Sequence, residues 1–173
     1  MNGDITVSSE VGKGTEFKIS LPLKIGERKL DNENFDPVDL RNVNVLVVDD
    51  NKINRFILSE QLKQMGALPL AATGAKEALQ ILKDAQANAT DIPLAVLDYQ
   101  MPGIDGVKLM EYFLASQFMP HMKTLVLTSD DSDTVRTAFH RLGVKEVLNK
   151  PARQVQISSS LGRLLRTQES RAA

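Results

Sequence analysis

The sequence contains no cysteine among its 173 residues, which excludes disulfide bonds and thiolate metal ligands. No apolar run reaches the roughly 18 residues that a helix needs to span a membrane. The amino terminus, Met1–Asp4, has neither the basic start nor the apolar core of a signal peptide. A net charge of -1 provides no general attraction to nucleic acid or to a membrane surface. These absences predict a cytoplasmic protein without direct membrane contact and without a nucleic-acid partner.

Polar side chains end four separate apolar runs of the sequence. Each run has the length and composition of a buried parallel strand. The residues that end these runs are Asp49 with Asp50, Asp98, Thr128, and Lys150. In an open parallel α/β sheet, ligands bind at the carboxyl ends of the strands. We therefore expect three carboxylates, a hydroxyl and a lysine to meet at one edge of the sheet.

From about residue 41 onward, strand and helix patterns alternate. The pattern predicts five parallel strands covered on both faces by five helices, near residues 52–65, 75–86, 106–117, 132–142 and 152–166. The intervening strands are predicted near 68–72, 124–128 and 144–148, and at the runs ending in Asp49 and Asp98. The first helix is predicted to bury Ile53, Ile57, Leu58, Leu62 and Met65. The third is predicted to bury Val107, Leu109, Met110, Phe113 and Leu114.

The residues before this region divide into two segments. Residues 1–23 show the two-residue alternation and the turn glycines of a β-hairpin. Residues 24–41 are polar and charged, and they are typical of a linker. The α/β domain is predicted to span residues 42–166, and residues 167–173 are predicted to be a frayed tail.

The predicted cluster of carboxylates has a specific chemical capacity. Two carboxylates about 5 Å apart repel each other by roughly 3 kcal/mol at an effective dielectric near 20. A hard cation such as Mg²⁺ neutralises such a cluster and retains open positions for phosphate oxygens. A carboxylate can also act as the nucleophile and form an acyl phosphate. Taken singly, Asp49 or Asp50 is equally well explained as a turn residue or helix N-cap. Asp98 alone is better explained as a loop residue, and the lysine as a surface charge.

Four motifs together resemble the receiver domain of two-component response regulators. They are VLVVDDNKINR (Val45–Arg55), LDYQMPGIDG (Leu97–Gly106), LVLTS (Leu125–Ser129) and LNKP (Leu148–Pro151), and they occur in the order found in that family. The resemblance implies a flavodoxin-like, doubly wound, five-stranded parallel sheet with five helices, preceded here by a remnant β-hairpin.

The same resemblance implies a role for each site residue. Asp98 would accept a phosphoryl group from a phosphohistidine. Thr128 would be the switch hydroxyl and Lys150 the contact to the phosphoryl group. The implied magnesium ligands are Asp49, Asp50, Asp98 and the backbone carbonyl of Gln100. The implied partners are the dimerisation domain of a histidine kinase, a histidine phosphotransfer protein, or both.

Three positions next to the predicted site residues indicate how this chain would behave if it acts as the resemblance implies. Many receivers carry an aromatic residue three positions before the lysine, and this chain has Val147 there. We therefore expect a weaker or different conformational response on the last two strands. Gln100 and Asp130 flank the site, and we expect them to set the lifetime of the acyl phosphate.

The first segment resembles the end of the ATP-binding domain of sensor histidine kinases. The resemblance extends from Asn2 to Leu23 and implies that the chain comes from the carboxyl-terminal part of a hybrid kinase. That parent could be anchored in the inner membrane. The nucleotide-binding motifs of such a kinase would lie upstream, so whether this chain alone is an enzyme stays open, as does a homodimer.

Two other functions remain as alternatives. A haloacid-dehalogenase-like phosphatase also uses a nucleophilic Asp, magnesium, a hydroxyl and a lysine, but expects a second Asp where this chain has Gln100. A degenerate receiver that serves only for docking is the other alternative. Neither His121 nor His140 has the setting expected of a phosphodonor histidine.

Overall fold

The computed structural model describes residues 3–22, 38–116 and 121–169, with side chains of the last helix described to residue 166. The chain forms two compact units, Met1–Asn34 and Phe35–Ala173. Most of the predicted linker and the last four residues of the predicted tail lie outside the described residues. Among the described residues, no helix is both long enough and apolar enough to cross a membrane.

The first unit contains the predicted β-hairpin. Strands β1 (Asp4–Glu10) and β2 (Gly14–Ser20) pair in antiparallel register. Gly12, in the turn, has a φ of +84°, a conformation that glycine adopts without steric cost. The register pairs Ile5 with Ile19 and Val7 with Phe17, which places these four side chains on one face of the hairpin.

The second unit is built on a five-stranded parallel sheet with the order β4-β3-β5-β6-β7. The strands are β3 (Asn44–Val48), β4 (Leu68–Ala72), β5 (Leu94–Asp98), β6 (Lys123–Thr128) and β7 (Glu146–Asn149). The helices are α1 (Lys52–Gln64), α2 (Ala75–Ala87), α3 (Gly106–Ser116), α4 (Asp133–Arg141) and α5 (Gln154–Glu169). The predicted order of five strands and five helices is confirmed.

The strands are apolar on both faces because helices cover both. Alternate side chains of each central strand enter two separate core clusters, as Leu46 and Val47 do. One cluster packs against α2, α3 and α4, through residues such as Leu82 and Phe139. The other packs against α1 and α5, through residues such as Leu62 and Leu161. The arrangement brings all five carboxyl ends to one edge of the sheet.

The predicted inner face of α1 is partly wrong. Leu58 and Leu62 are buried and Met65 packs against the core, but Ile53 and Ile57 are 68% and 49% exposed. Successive residues of a helix point about 100° apart, so Ile57 points about 100° and Ile53 about 140° away from Leu58. A stripe that includes all five residues is therefore wider than the face that the sheet covers.

Smaller differences concern other element ends. Leu114 is exposed on α3, because Leu109, Met110 and Phe113 already fill the buried face. The last strand begins at Glu146 rather than Val144, and α5 extends to Glu169. Leu40, assigned to the linker by its polar neighbours, is fully buried, and its N–H donates to the Met65 carbonyl. The compact unit therefore begins before residue 42.

Candidate functional site

Three acidic side chains meet at the carboxyl edge of the sheet. Asp49 directly follows β3 and Asp98 ends β5, and both are buried, whereas Asp50 is exposed. One carboxylate oxygen from each of the three lies within 4.8 Å of the others. The neighbouring strands β3 and β5 are paired in parallel, which places their ends side by side. The predicted meeting of these three residues is therefore observed.

Lys150 directly follows β7 and contacts the two buried carboxylates at the same edge of the sheet. Its Nζ lies 2.9 Å from Asp98 Oδ2 and 3.2 Å from Asp49 Oδ2. Its backbone N–H donates to the Thr128 carbonyl at 2.7 Å, which fixes the start of the loop after β7 to the end of β6. The ammonium group is thus held between the two buried carboxylates and compensates part of their charge.

Asp98 has an environment that disfavours its ionised form. Burial raises the pKa of the Asp98 carboxyl, and the hydrogen bond and charge of Lys150 only partly oppose this effect. The Gln100 N–H donates to Asp98 Oδ1 at 3.1 Å. Helix α3 begins close behind, because Gly106 has no side chain: a Cβ there would lie 3.0 Å from the Asp98 carbonyl oxygen. The carboxylate itself is held by the Gln100 N–H and by Lys150.

Asp49 is held at each of its polar atoms. Its N–H donates to the Ala72 carbonyl, and its Oδ1 accepts the Asn51 N–H at 2.8 Å. Its carbonyl oxygen accepts a hydrogen bond from Arg55 Nη1 at 2.6 Å. Asn51 also caps α1 by accepting from the N–H groups of Ile53 and Asn54. The sequence pattern indicated no role for Asn51 or Arg55, although both lie in the VLVVDDNKINR motif.

The Thr128 hydroxyl points into its own loop. It accepts the Asp130 N–H at 2.9 Å and donates to the Asp130 carbonyl at 3.1 Å. The Asp130 carboxylate accepts the Ser132 N–H, and this hydrogen bond lowers the pKa of the Asp130 carboxyl. Asp130 thus stabilises the turn that leads to α4. Thr128 is fully buried, and it follows Leu127, which pairs with Asp98 in the sheet register. Its hydroxyl, however, is bonded to Asp130 and not to the acidic cluster.

The chemistry of the donor set fits a divalent cation. Three carboxylate oxygens in mutual reach are hard ligands, and one of the three residues is exposed to solvent, which leaves room for water and phosphate oxygens. Gln100 is placed beside Asp98 by its backbone, and the role of its carbonyl as a metal ligand stays a prediction. His121 does not belong to this cluster. Its Nε2 lies 2.6 Å from Asp91 Oδ1.

Comparisons with known proteins show which chains this one is similar to. A family model for the response regulator receiver domain matches residues 45–161. The chain is 29% identical over 167 residues to the autoinducer 2 sensor kinase/phosphatase LuxQ of Vibrio cholerae, covering 93% of this chain and 19% of that protein. It is 27% identical over 171 residues to the aerobic respiration control sensor protein ArcB of Escherichia coli, covering 98% of this chain and 21% of that protein.

A solved structure shows the same fold. The Vibrio cholerae chemotaxis protein CheY4 matches with a TM-score of 0.63 and 24% sequence identity, covering 71% of this chain and 98% of that one. The present chain spans about a fifth of the length of the two curated relatives named above.

Proposed function

The chain belongs to the response regulator receiver domain family, and from that premise we propose that Asp98 is its phosphoacceptor. As a receiver domain, it is a component of a two-component phosphorelay. The observation that carries the proposal for Asp98 is its position at the end of β5, buried and bonded to Lys150, with two further carboxylates in reach.

Asp98 and Lys150 would have separate roles in the transfer. An Asp98 oxygen would form the new O–P bond while the P–N bond to the donor histidine breaks, and the imidazole nitrogen would leave with the electron pair. Lys150 would then pair with a phosphoryl oxygen instead of a free carboxylate. We propose that Asp49, Asp50, Asp98 and the Gln100 carbonyl hold Mg²⁺, which supplies charge neutralisation for the carboxylates and the phosphoryl oxygens.

Thr128 would report the phosphorylated state. Its hydroxyl is bonded to the Asp130 backbone and would exchange these hydrogen bonds for one to a phosphoryl oxygen on Asp98. Many receivers couple this movement to an aromatic side chain on the last strand. Here Val147 occupies that position and packs against the core beside α4. We therefore propose that the response of β6 and β7 is smaller than in receivers with the aromatic residue. Gln100 and Asp130 remain our candidates for setting the acyl-phosphate lifetime.

The exposed side of α1 supports a helical protein partner. Ile53, Phe56 and Ile57 are exposed together on this helix, next to a pocket of about 420 Å³ that reaches Lys150. We propose that a histidine phosphotransfer domain or a kinase dimerisation domain docks here and presents its phosphohistidine to Asp98. The expected result is that Ile57→Ser slows transfer from a phosphohistidine protein but leaves phosphorylation by phosphoramidate unchanged. Equal slowing with both donors would contradict this docking surface.

The hairpin supports a hybrid kinase as the parent protein. The match to ArcB covers 98% of this chain, so it includes the hairpin as well as the receiver. We propose that residues 1–23 are the last hairpin of a kinase ATP-binding domain, that residues 24–41 link it to the receiver, and that the receiver functions at the cytoplasmic side of a parent that could be membrane-anchored.

The haloacid-dehalogenase alternative is not favoured by these findings. The family match covers the receiver fold, and Gln100 stands where such a phosphatase needs its general acid. If the chain released nitrophenol from nitrophenyl phosphate, a generic aryl phosphate, the phosphatase alternative would be supported instead. The degenerate receiver is disfavoured because acids, hydroxyl and lysine are all present.

The decisive experiment is a titration with beryllofluoride, a phosphoryl mimic, followed by NMR. Binding is expected only with magnesium, and it should be lost in Asp98→Ala and retained in the control Asp131→Ala, which removes an exposed acid from the loop before α4. Binding that survives Asp98→Ala would exclude Asp98 as the acceptor. Binding without magnesium would exclude the metal dependence.

A further inference from the structure

Arg55 makes a hydrogen bond to the backbone between two residues of the acidic cluster. Its Nη1 donates to the Asp49 carbonyl oxygen at 2.6 Å. That oxygen belongs to the peptide that joins Asp49 to Asp50, so the guanidinium holds the plane of this peptide from the first turn of α1. A hydrogen bond from an ionised donor is shorter and stronger than one between neutral groups. The contact therefore restrains the turn between the two acids.

Asp50 depends on this restraint more than Asp49 does. The carboxylate of Asp49 is held by Asn51 and Lys150. Among the described residues, by contrast, no side chain or amide is hydrogen-bonded to the Asp50 carboxylate. Repulsion from the other two acids favours rotation of this exposed group into solvent. Its direction toward the cluster is therefore decided by the backbone that Arg55 anchors.

The guanidinium is also set between two loops. Glu77, at the start of α2, accepts hydrogen bonds from the Thr73 N–H and the Thr73 hydroxyl, both at 2.7 Å. These hydrogen bonds lower the pKa of Glu77, and the positive charge of Arg55 contributes in the same direction. Arg55 thus interacts with the loop after β3 through a hydrogen bond and with the loop after β4 through its charge.

We propose that Arg55 is a positioning residue that aims the carboxylate of Asp50 at the metal site by anchoring the peptide between Asp49 and Asp50. The inference rests on the magnesium site of the proposed function. It assigns to Arg55 no contact with the cation or with the phosphoryl group. Partners in the outer shell of a metal site typically change metal affinity about 10- to 100-fold when they are removed.

The sign of the effect separates positioning from simple electrostatics. A nearby positive charge opposes the binding of a cation, so removal of the charge alone would tighten magnesium binding. If Arg55 positions Asp50, Arg55→Gln weakens magnesium binding by about tenfold despite the removed charge. Arg55→Lys retains the charge but lacks the planar fork of donors, so it should also weaken binding. The matched control is Lys52→Gln, which removes an exposed cation from the same helical turn.

The experiment combines magnesium titration by NMR with amide hydrogen exchange of the full chain in EDTA. In Arg55→Gln, the Asn51 N–H, which donates to Asp49 Oδ1, should lose protection while amides of β5 retain theirs. Magnesium affinity that is unchanged or tighter in Arg55→Gln, or equally weakened in Lys52→Gln, would overturn the inference. Loss of protection throughout the sheet would assign Arg55 a purely structural role. Absence of magnesium binding in the unmodified chain would instead refute the proposed metal site, and the exchange data would still decide whether Arg55 anchors the turn.

Discussion

In the hairpin, Ile5, Val7, Phe17 and Ile19 each expose 63% to 66% of their surface, whereas the core residues of β3 and β5 expose none. Both regions are built from strands rich in apolar residues. In the central sheet, helices cover both faces, so each strand is apolar throughout. In the hairpin, apolar residues alternate with polar ones, and one face carries the charges of Asp4, Glu10, Glu16 and Lys18.

The difference shows that alternation defines a face but does not bury it. A two-stranded hairpin is only marginally stable in water unless a second layer packs against it. The apolar face of this hairpin is uncharged, since Ser9 and Thr15 are its remaining members and bond to each other. Such a face suits the interior of a larger domain, which agrees with the proposed origin of the hairpin in a kinase domain.

The largest expected contrast is between two truncations. Leu46→Ala removes a fully buried side chain and should lower the free energy of unfolding by about 2–5 kcal/mol. Phe17→Ala removes a larger side chain from the exposed hairpin face and should change it by less than about 0.5 kcal/mol. Urea unfolding followed by far-UV circular dichroism measures both. A cost for Phe17→Ala that approaches the Leu46 value would contradict the contrast, because it would require the hairpin face to be covered.

A smaller contrast is expected between two glycines with similar backbone angles. Gly66 ends α1 with a φ of +88°, and a Cβ there would lie 3.1 Å from backbone atoms of Arg41. Gly66→Ala should therefore cost about 1–2 kcal/mol for the left-handed conformation, with a further cost for this clash. Gly12 has a φ of +84° but no heavy atom near its Cβ position.

Thermal unfolding of the sheet is the measurement for both glycine variants. We expect Gly66→Ala to lower the melting temperature and Gly12→Ala to leave it unchanged, because Gly12 lies in the hairpin unit and not in the unit that contains the sheet. Equal effects of the two variants would show that the units unfold together.

The smallest contrast is between two ion pairs. Arg163 donates two hydrogen bonds to the largely buried Glu146, whereas Lys13 and Glu10 pair in the exposed hairpin. Burial alone would raise the pKa of Glu146, but the hydrogen bonds from Arg163 and Ser160 outweigh burial and lower it. A lowered pKa means that the unfolded state binds more protons, so the pair's contribution is present above about pH 5 and is lost as pH falls through the folded-state pKa.

Arg163→Gln should therefore destabilise the fold by about 1 kcal/mol at pH 7, and the difference from the unmodified chain should shrink below pH 4. Lys13→Gln should have no measurable effect at either pH. Urea unfolding at the two pH values provides the test. A difference for Arg163→Gln that persists unchanged at low pH would show that the guanidinium acts through packing rather than through the carboxylate.

The sequence predicted most of the sheet because parallel strands buried on both faces leave a strong local signal. The runs that end at Asp49, Asp98 and Thr128 are short and apolar, as strands covered on both faces are. Their ends predicted the acidic cluster, because parallel strands bring like ends together. The signal was weaker for amphipathic helices, where Ile53 and Ile57 appeared to belong to the buried stripe of α1 and are exposed.

Arg55 illustrates what local patterns do not reveal. Its bond to the Asp49 carbonyl depends on the angle between β3 and α1, which the packing of Leu58 and Leu62 against the sheet sets. No spacing rule distinguishes this arginine from the solvated cations nearby. The same holds for the Thr128 hydroxyl, whose partner in Asp130 depends on the path of one loop.

The sequence by itself determined which residues are strands, which residues end them, and therefore which side chains share one edge, since these properties follow from hydrophobic runs and from the parallel direction of the strands. Only the tertiary structure decided which apolar residues are covered and which cation anchors which carbonyl. Burial and hydrogen bonding depend on the distance and angle between elements far apart in the chain, and these are set by packing on both faces of the sheet at once.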